Sequence, residues 1–292
     1  MFSIIIPTLN NKEYLKICIE SLIKNSKFKN QIIVHVNIGS DNTIKYLNSK
    51  KISYTFSKKN IGLCSAVNLA AKKSKHDYIV YSHDDFYFCP DWDKALFDEI
   101  KEIGHKKFYL SSTQVNTFGI KYFNCGKNFN NFNKQKLLKN LTKIKFPDIQ
   151  GSTWAPHVVH RKFWIKCAGF SEEFFPGAGS DPDFVYKLWL LGIRIFKMLG
   201  SSKVYHFESK TLRDSKKFKF FKGQVTGSES SKLFLLKWGI STKFLKKHYL
   251  RSNSIYRNEL SEPKKNLTYI SELLICKMKY LYLKLFSKIK YE

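Results

Sequence analysis

Asp77-Tyr78-Ile79-Val80-Tyr81-Ser82-His83-Asp84-Asp85 is the stretch on which the fold turns. Tyr78 to Tyr81 has the length and the β-branched and aromatic content of a buried strand. The chain then sets two carboxylates side by side before Pro90 and Asp91 start the next element. Like charges this close raise each other's cost of ionisation unless a cation sits between them and a partner. Hard oxygen ligands of this kind suit Mg²⁺ or Mn²⁺ holding a diphosphate. A solvated turn followed by a helix cap accounts for the same two residues equally well. The surrounding sequence has to decide.

Outward from this strand, the first half alternates strands and helices, the pattern of a mostly parallel sheet covered on both faces. Strands are expected at Phe2–Ile6, Ile32–Val36 and Ser53–Ser57. A helix at Glu13–Lys24 places Leu15, Ile19, Leu22 and Ile23 on one side. Asp41 opens a short helix carrying Ile44 and Leu47, and Leu63–Lys73 presents Val67, Ala70 and Ala71 as its apolar face. Ligands of such a sheet bind beyond the carboxyl ends of its strands. Pro7, Asn37 to Ser40, Asn60 and Asp84-Asp85 all fall at those ends, which moves the weight from turn to site. Further on, helices are expected at Asp91–Ile103 (capped by Asp91), Arg161–Cys167 and Asp181–Leu191, and a strand at Lys203–His206. Gly119 to Asn133 reads as loops and short strands of no clear register.

The 292 residues are 43% apolar and 16% aromatic, enough for one large α/β domain with an appendage and too apolar for a disordered polymer. No stretch approaches the ~20 uncharged apolar residues of a membrane span. The start lacks a charged leader and a small-residue cleavage site, so no secretory signal is read there. Six scattered cysteines, without CxxC pairs, read as buried free thiols in a reducing, cytosolic compartment. The formal charge of +28 raises a nucleic-acid reading. It rests on 46 Lys against 5 Arg, whereas base and phosphate readers favour the arginine fork. No specific nucleic-acid partner is therefore expected. Half of that charge, a surplus of 14 from 21 basic and 7 acidic side chains, lies between Lys203 and Glu292.

Several ordered segments resemble the inverting family 2 glycosyltransferases of the nucleotide-sugar-binding GT-A fold. They are Ser3-Ile4-Ile5-Ile6-Pro7-Thr8-Leu9-Asn10, Ile32 to Thr43, Asn60-Ile61-Gly62 with Asn68, Asp84-Asp85, Gly169 to Phe175 and Gly179-Ser180-Asp181-Pro182-Asp183. The resemblance covers residues 1–240 and implies a nucleotide-sugar half at 1–110, an acceptor half at 111–240 and a basic amphipathic helical region at 241–292. It implies that Pro7, Thr8, Leu9, Asn10, Asn37, Asn60, Gly62, Asn68 and Asp84 contact the donor. Asp85 and His206 would hold Mn²⁺ or Mg²⁺, with Asp84 on the ribose or a metal-bound water. Trp154 lies where the family presents an acceptor-facing loop, although a lone Trp is more often core.

An inverting displacement needs a base opposite the leaving group. The family's pattern assigns it to Asp181, with Asp183 in reserve. A helix start, with Ser180 as N-cap, Pro182 in the first turn and an acid at the third position, explains Asp183 without catalysis. Ser180 stands where the family carries Glu, and Asn37-Ile38 where it often carries two aspartates. Asn37 can offer its amide oxygen to a uracil N3–H but also brings a donor. The run Lys216 to Lys222 reads as a flap over the diphosphate or a solvated loop, and Lys232, Lys237 and Trp238-Gly239 resemble the family's late segment without an assignable role.

The tail, Leu267–Ile289, is expected to be helical, with Ile270, Leu274, Met278, Leu281, Leu285 and Ile289 on one stripe and Lys277, Lys284 and Lys288 on another. It suits an interfacial helix on anionic lipid, or a stripe docking on its own domain or a second copy. The leading function is metal-dependent, inverting transfer from a UDP-sugar to a saccharide or lipid-linked acceptor, in the cytoplasm or at the inner membrane face. The alternatives are a nucleotidyltransferase acting on sugar phosphates and a non-enzymatic basic protein binding nucleic acid or a membrane surface. Pro7-Thr8-Leu9-Asn10-Asn11 lacks the glycines of the phosphate loop that the nucleotidyltransferase reading calls for.

Overall fold

The computed structural model describes residues 1–115, 124–126, 128–143, 145–207 and 227–287. The Lys216 to Lys222 run, Lys288, Ile289 and part of Gly119 to Asn133 lie outside the described residues.

The first half follows the alternation in the sequence. Strands β1 (Phe2–Leu9), β2 (Gln31–Asn37), β3 (Ser53–Ser57) and β4 (Tyr78–Tyr81) are joined by helices α1 (Lys12–Asn25), α2 (Thr43–Ser49) and α3 (Gly62–Ala71). They form parallel ladders in the order β3-β2-β1-β4. Phe2, Ile4, Ile5 and Ile6 are fully buried because helices cover both faces of β1. Each such side chain contributes about 1.5–3 kcal/mol on burial. On α1, Leu15, Ile19 and Leu22 are buried as expected, but Ile23 is 63% exposed. It lies about 100° around the helix from Leu22, beyond the edge of the covered face.

After β4 the chain forms β5 (Phe86–Phe88), α4 (Trp92–Ile103), β6 (Phe108–Gln114), α5 (Lys134–Leu141), β7 (Ile149–Gln150), β8 (His157–His160), α6 (Arg161–Lys166), α7 (Ser180–Leu190), β9 (Ile195–His206), α8 (Gly227–Trp238) and α9 (Leu267–Phe286). Together with the parallel half these strands make a nine-stranded sheet of order β3-β2-β1-β4-β8-β6-β9-β5, with β7 on β9. This second half is mixed. β8 runs antiparallel to β4 and β6, β9 runs parallel to β6, and β5 and β7 run antiparallel to β9. Asp91 opens α4 without a side-chain capping bond. The neighbouring Asp93 is the fixed carboxylate, accepting from the Lys27 and Phe28 amides and from Asn30 Nδ2.

Packing does not stop at residue 240. Phe244, Leu245, Leu250 and Leu260 are buried in the same core, and Gln150 exchanges backbone hydrogen bonds with Asn253 and Ser254. All six cysteines are free and buried. Among the described residues no helix is long and apolar enough to cross a membrane.

Candidate active site

The ladder between β1 and β4 ends where the Ser82 amide donates to the Ile5 carbonyl. Beyond that point β1 continues beside β2 alone, to Leu9↔Asn37, while the chain leaving β4 turns towards β5. The sheet therefore splits at the position where strand order reverses, the usual place for a ligand in an open α/β sheet. Pro7, which has no N–H to give, lies past the last β4 pairing. Thr8 Oγ1 bridges the split by donating to Asp84 Oδ2 at 2.6 Å.

Asp84 and Asp85 are both buried, 6% and 4% exposed, which excludes a solvated turn. Asp85 gains its neighbours from the far end of the fold. Antiparallel pairing sets Phe86 opposite His206, and the Phe207 amide donates to the Asp85 carbonyl. His206 Nε2 then lies 3.3 Å from Asp85 Oδ1. His83 Nδ1 approaches the same oxygen at 4.0 Å, and these three ligand atoms lie within 4.8 Å of one another. Sequence reasoning missed His83 as a ligand. Its place two residues before Asp85 was the available signal, obscured because residues at that spacing point the same way only where the chain stays extended.

The tautomer of His206 follows from its other neighbours. Gln114 Nε2 donates to the Ala155 carbonyl, which turns Gln114 Oε1 towards His206 Nδ1 at 3.2 Å. Nδ1 then donates to that oxygen, and Nε2 is the ring nitrogen turned to the Asp85 carboxylate. Burial lowers His83 to about 4, which makes it a neutral imidazole near pH 7, and its Nε2 pairs with the Tyr81 hydroxyl at 2.9 Å. Two imidazole nitrogens and a carboxylate converging on one point, each imidazole held from behind, fit a divalent cation.

The loops around the crevice are held mostly by their own side chains. Asn10, at φ 47°, accepts from the Ser40 amide. Leu9 is buried. Asn37 Oδ1 accepts from Ser57 Oγ and from the Ile61 amide, both at 3.0 Å. The backbone N–H of Ile61 fixes that amide orientation. Nδ2 is the polar atom that remains. Asn60 accepts from the Gly62 amide and leaves a buried Nδ2 without a partner among the described residues. Gly62 sits at φ 77°, and a Cβ there would come within 2.3 Å of the Phe175 ring. Asn68 brackets Phe170, donating to its carbonyl and accepting from its amide. Gly62 and Asn68 therefore join α3 to residues 170–175.

Those residues lead into α7, where the two candidate bases diverge. Asp183 is fully buried and saturated. It accepts from Ser171 Oγ at 2.6 Å and Trp238 Nε1 at 2.8 Å, and Lys237 Nζ lies 2.8 Å away. Lys237 and Trp238 thereby acquire the role that the sequence left open. The helix start itself differs from expectation. Gly179, at φ 84°, is the N-cap, while the Ser180 hydroxyl donates back to the Gly177 carbonyl. Asp181 has the opposite environment. Its Oδ1 is buried with no hydrogen-bond partner among the described residues, and desolvation pushes its pKa up to about 7, with Lys246 pulling the other way. Lys246 Nζ also lies 5.1 Å over the half-buried Trp154 ring. Lys246, beyond the expected catalytic boundary, was not legible as a site residue because it reaches Asp181 only through tertiary packing.

The fold is of the GT-A class. The profile described as glycosyl transferase family 2 matches residues 3–160, over half the chain, and the chain belongs to that family. An uncharacterized glycosyltransferase of Rickettsia typhi is 39% identical over 92 residues, 30% of this chain and 28% of that protein. One from Mycoplasma genitalium is 30% identical over 164 residues, 51% of each chain. The chain thus spans about half, or less, of the curated relatives it matches. Crystal structures of S. aureus TarS 1-349 share the fold at 14% identity, with a TM-score of 0.57 over 98% of this chain and 72% of that one. The complex of TarS 1-349 with UDP superposes with a TM-score of 0.56 at 13% identity, covering 99% of this chain and 75% of that one.

Proposed function

We propose that this chain is a metal-dependent, inverting glycosyltransferase that moves one sugar from a UDP-sugar to a hydroxyl of a saccharide or lipid-linked acceptor. The observation that carries this reading is the convergence of Asp85, His206 and His83 at the split end of the sheet. A divalent cation held there would neutralise the charge that builds on the leaving diphosphate. Asp84, fixed by Thr8, faces the same crevice as a polar contact for the ribose or a bound water. Asp181 acts as the base. Its unpartnered oxygen accepts the proton of the acceptor hydroxyl as that oxygen attacks the anomeric carbon, and a pKa near 7 matches the task. Asp183 holds the helix that carries it. Trp154 and Lys246 form the acceptor-side wall. The choice of uridine is supported by the TarS complexes with UDP and with UDP-GlcNAc, which share this fold.

Thermal stability measured with UDP, GDP and ADP, with and without Mn²⁺, tests the donor site. UDP should stabilise the wild type only with metal, and Asp85→Ala should abolish the gain. Stabilisation by UDP that ignores both metal and the substitution would remove Asp85 from the proposal.

A further inference from the structure

Helix α9 is apolar on two faces. One face docks, with Tyr269 and Cys276 buried and Leu273, Tyr280 and Leu283 packed against the core. The stripe picked out in the sequence is the other face. Leu267, Ile270, Leu274, Met278, Leu281 and Leu285 recur every three or four residues and are 47% to 85% exposed. At about 100° per residue they centre roughly 140° around the helix from the docked side. Exposed lysines border this ridge, Lys277 and Lys284 on one flank and Lys279 on the other. Exposed Lys264 and Lys265 precede the helix. Its single acidic residue, Glu272, is turned inwards to Lys247 and His248. An apolar ridge this long is unusual on a surface that faces only water.

We propose that α9 is an interfacial anchor whose outward ridge enters the headgroup region of an anionic lipid leaflet. Leucines and Met278 replace water with acyl chain, while the flanking lysines extend along the surface and pair with lipid phosphates. Charge selects this occupant over a second copy of the chain. Two ridges face to face would bring Lys277, Lys279 and Lys284 against their counterparts, with a surplus of 14 positive charges in each C-terminal third. An anionic leaflet reverses the sign of that interaction. The membrane lies along the helix, consistent with α9 not being apolar enough to span one.

Co-sedimentation of the full chain with phosphatidylcholine vesicles, with or without about one-third phosphatidylglycerol, tests this. Binding is expected to the anionic vesicles alone, weakening steeply as salt rises from about 0.1 to 0.5 M. Leu281→Gln with Leu285→Gln, both exposed, should lower partitioning at least tenfold with unchanged Tm. Lys277→Gln or Lys284→Gln should each lower it about fivefold. Failure to bind anionic vesicles overturns the proposal. So does binding that ignores the leucine substitutions, which charge alone would explain. A dimer dispersed by those substitutions, without lipid binding, assigns the ridge to a second copy instead. None of these outcomes depends on nucleotide binding or transfer.

Discussion

The first turn of α7 presents two carboxylates, two residues apart, to two regions with opposite chemistry. Asp183 faces α8 and meets a lysine, an indole N–H and a hydroxyl. Asp181 meets no donor for Oδ1 among the described residues, with Lys246 the cation that acts on it. A buried carboxylate that is fully paired serves the fold, and one with an unpaired oxygen is a candidate for contact with a ligand. Residue type and spacing are the same for both, so only the surroundings separate structure from chemistry.

The largest expected effect separates them directly. Asp181→Asn should lower sugar transfer by about 10²–10⁴-fold, the usual worth of a general base, while its urea midpoint stays at or above wild type. Retained turnover would dissolve the contrast. Asp183→Ala should do the reverse first, costing about 3 kcal/mol in urea denaturation, because Trp238 Nε1 and Ser171 Oγ lose a charged acceptor and Lys237 keeps only the more exposed Glu173.

The pH dependence of stability gives a second handle. Asp181 titrates near 3.8 when unfolded and near 7 when folded. Between those values the native state holds a proton that the unfolded state has released. Stability therefore falls as pH rises through this window, by up to about 1.4 kcal/mol per pH unit, and this contribution is fully present only below pH ~4. The wild type minus Asp181→Asn difference in unfolding free energy should show that slope; a flat difference would mean that Asp181 is solvated. The same group predicts kcat/KM rising with pH to a plateau above about 7, since the base must be ionised. Trp238→Phe removes one hydrogen bond to a charged acceptor and should cost about 1.5–3 kcal/mol without moving that profile. Smallest, Lys246→Met should shift the ascending limb upwards by a fraction of a pH unit, because Lys246 is the cation that favours ionised Asp181.

How much of this was legible differs sharply along the chain. In the parallel half, each strand and its covering helix are adjacent in sequence, and the apolar runs are uninterrupted, so β1 to β4 and their ligand-facing ends could be read directly. β6 escaped because its second half, Ser111-Ser112-Thr113-Gln114, is polar yet entirely buried. Those hydroxyls are satisfied from distant segments, Ser111 by Ser152, Ser112 by Ser202 and Thr113 by the Leu199 carbonyl. Polar residues paired across the sheet leave no hydrophobic period to detect. The tail shows the converse. Its stripe was visible, but a periodic apolar face does not say whether it turns inwards, and α9 docks by Tyr269 and Cys276 instead.

Local order therefore established the alternating architecture, the acidic pair after β4, and the late histidine as a partner worth seeking. Those features depend on backbone period and residue chemistry, which neighbours along the chain dictate. The three-dimensional arrangement alone decided that His83 joins Asp85 and His206, that Asn37 Oδ1 accepts from Ser57 and Ile61, that Asp183 is paired while Asp181 Oδ1 has no partner among the described residues, and that Lys246 acts on Asp181. Each of these is a matter of which distant group supplies or withholds a hydrogen bond or a charge. Desolvation and pairing are properties of an environment, and no residue carries its environment in its own name.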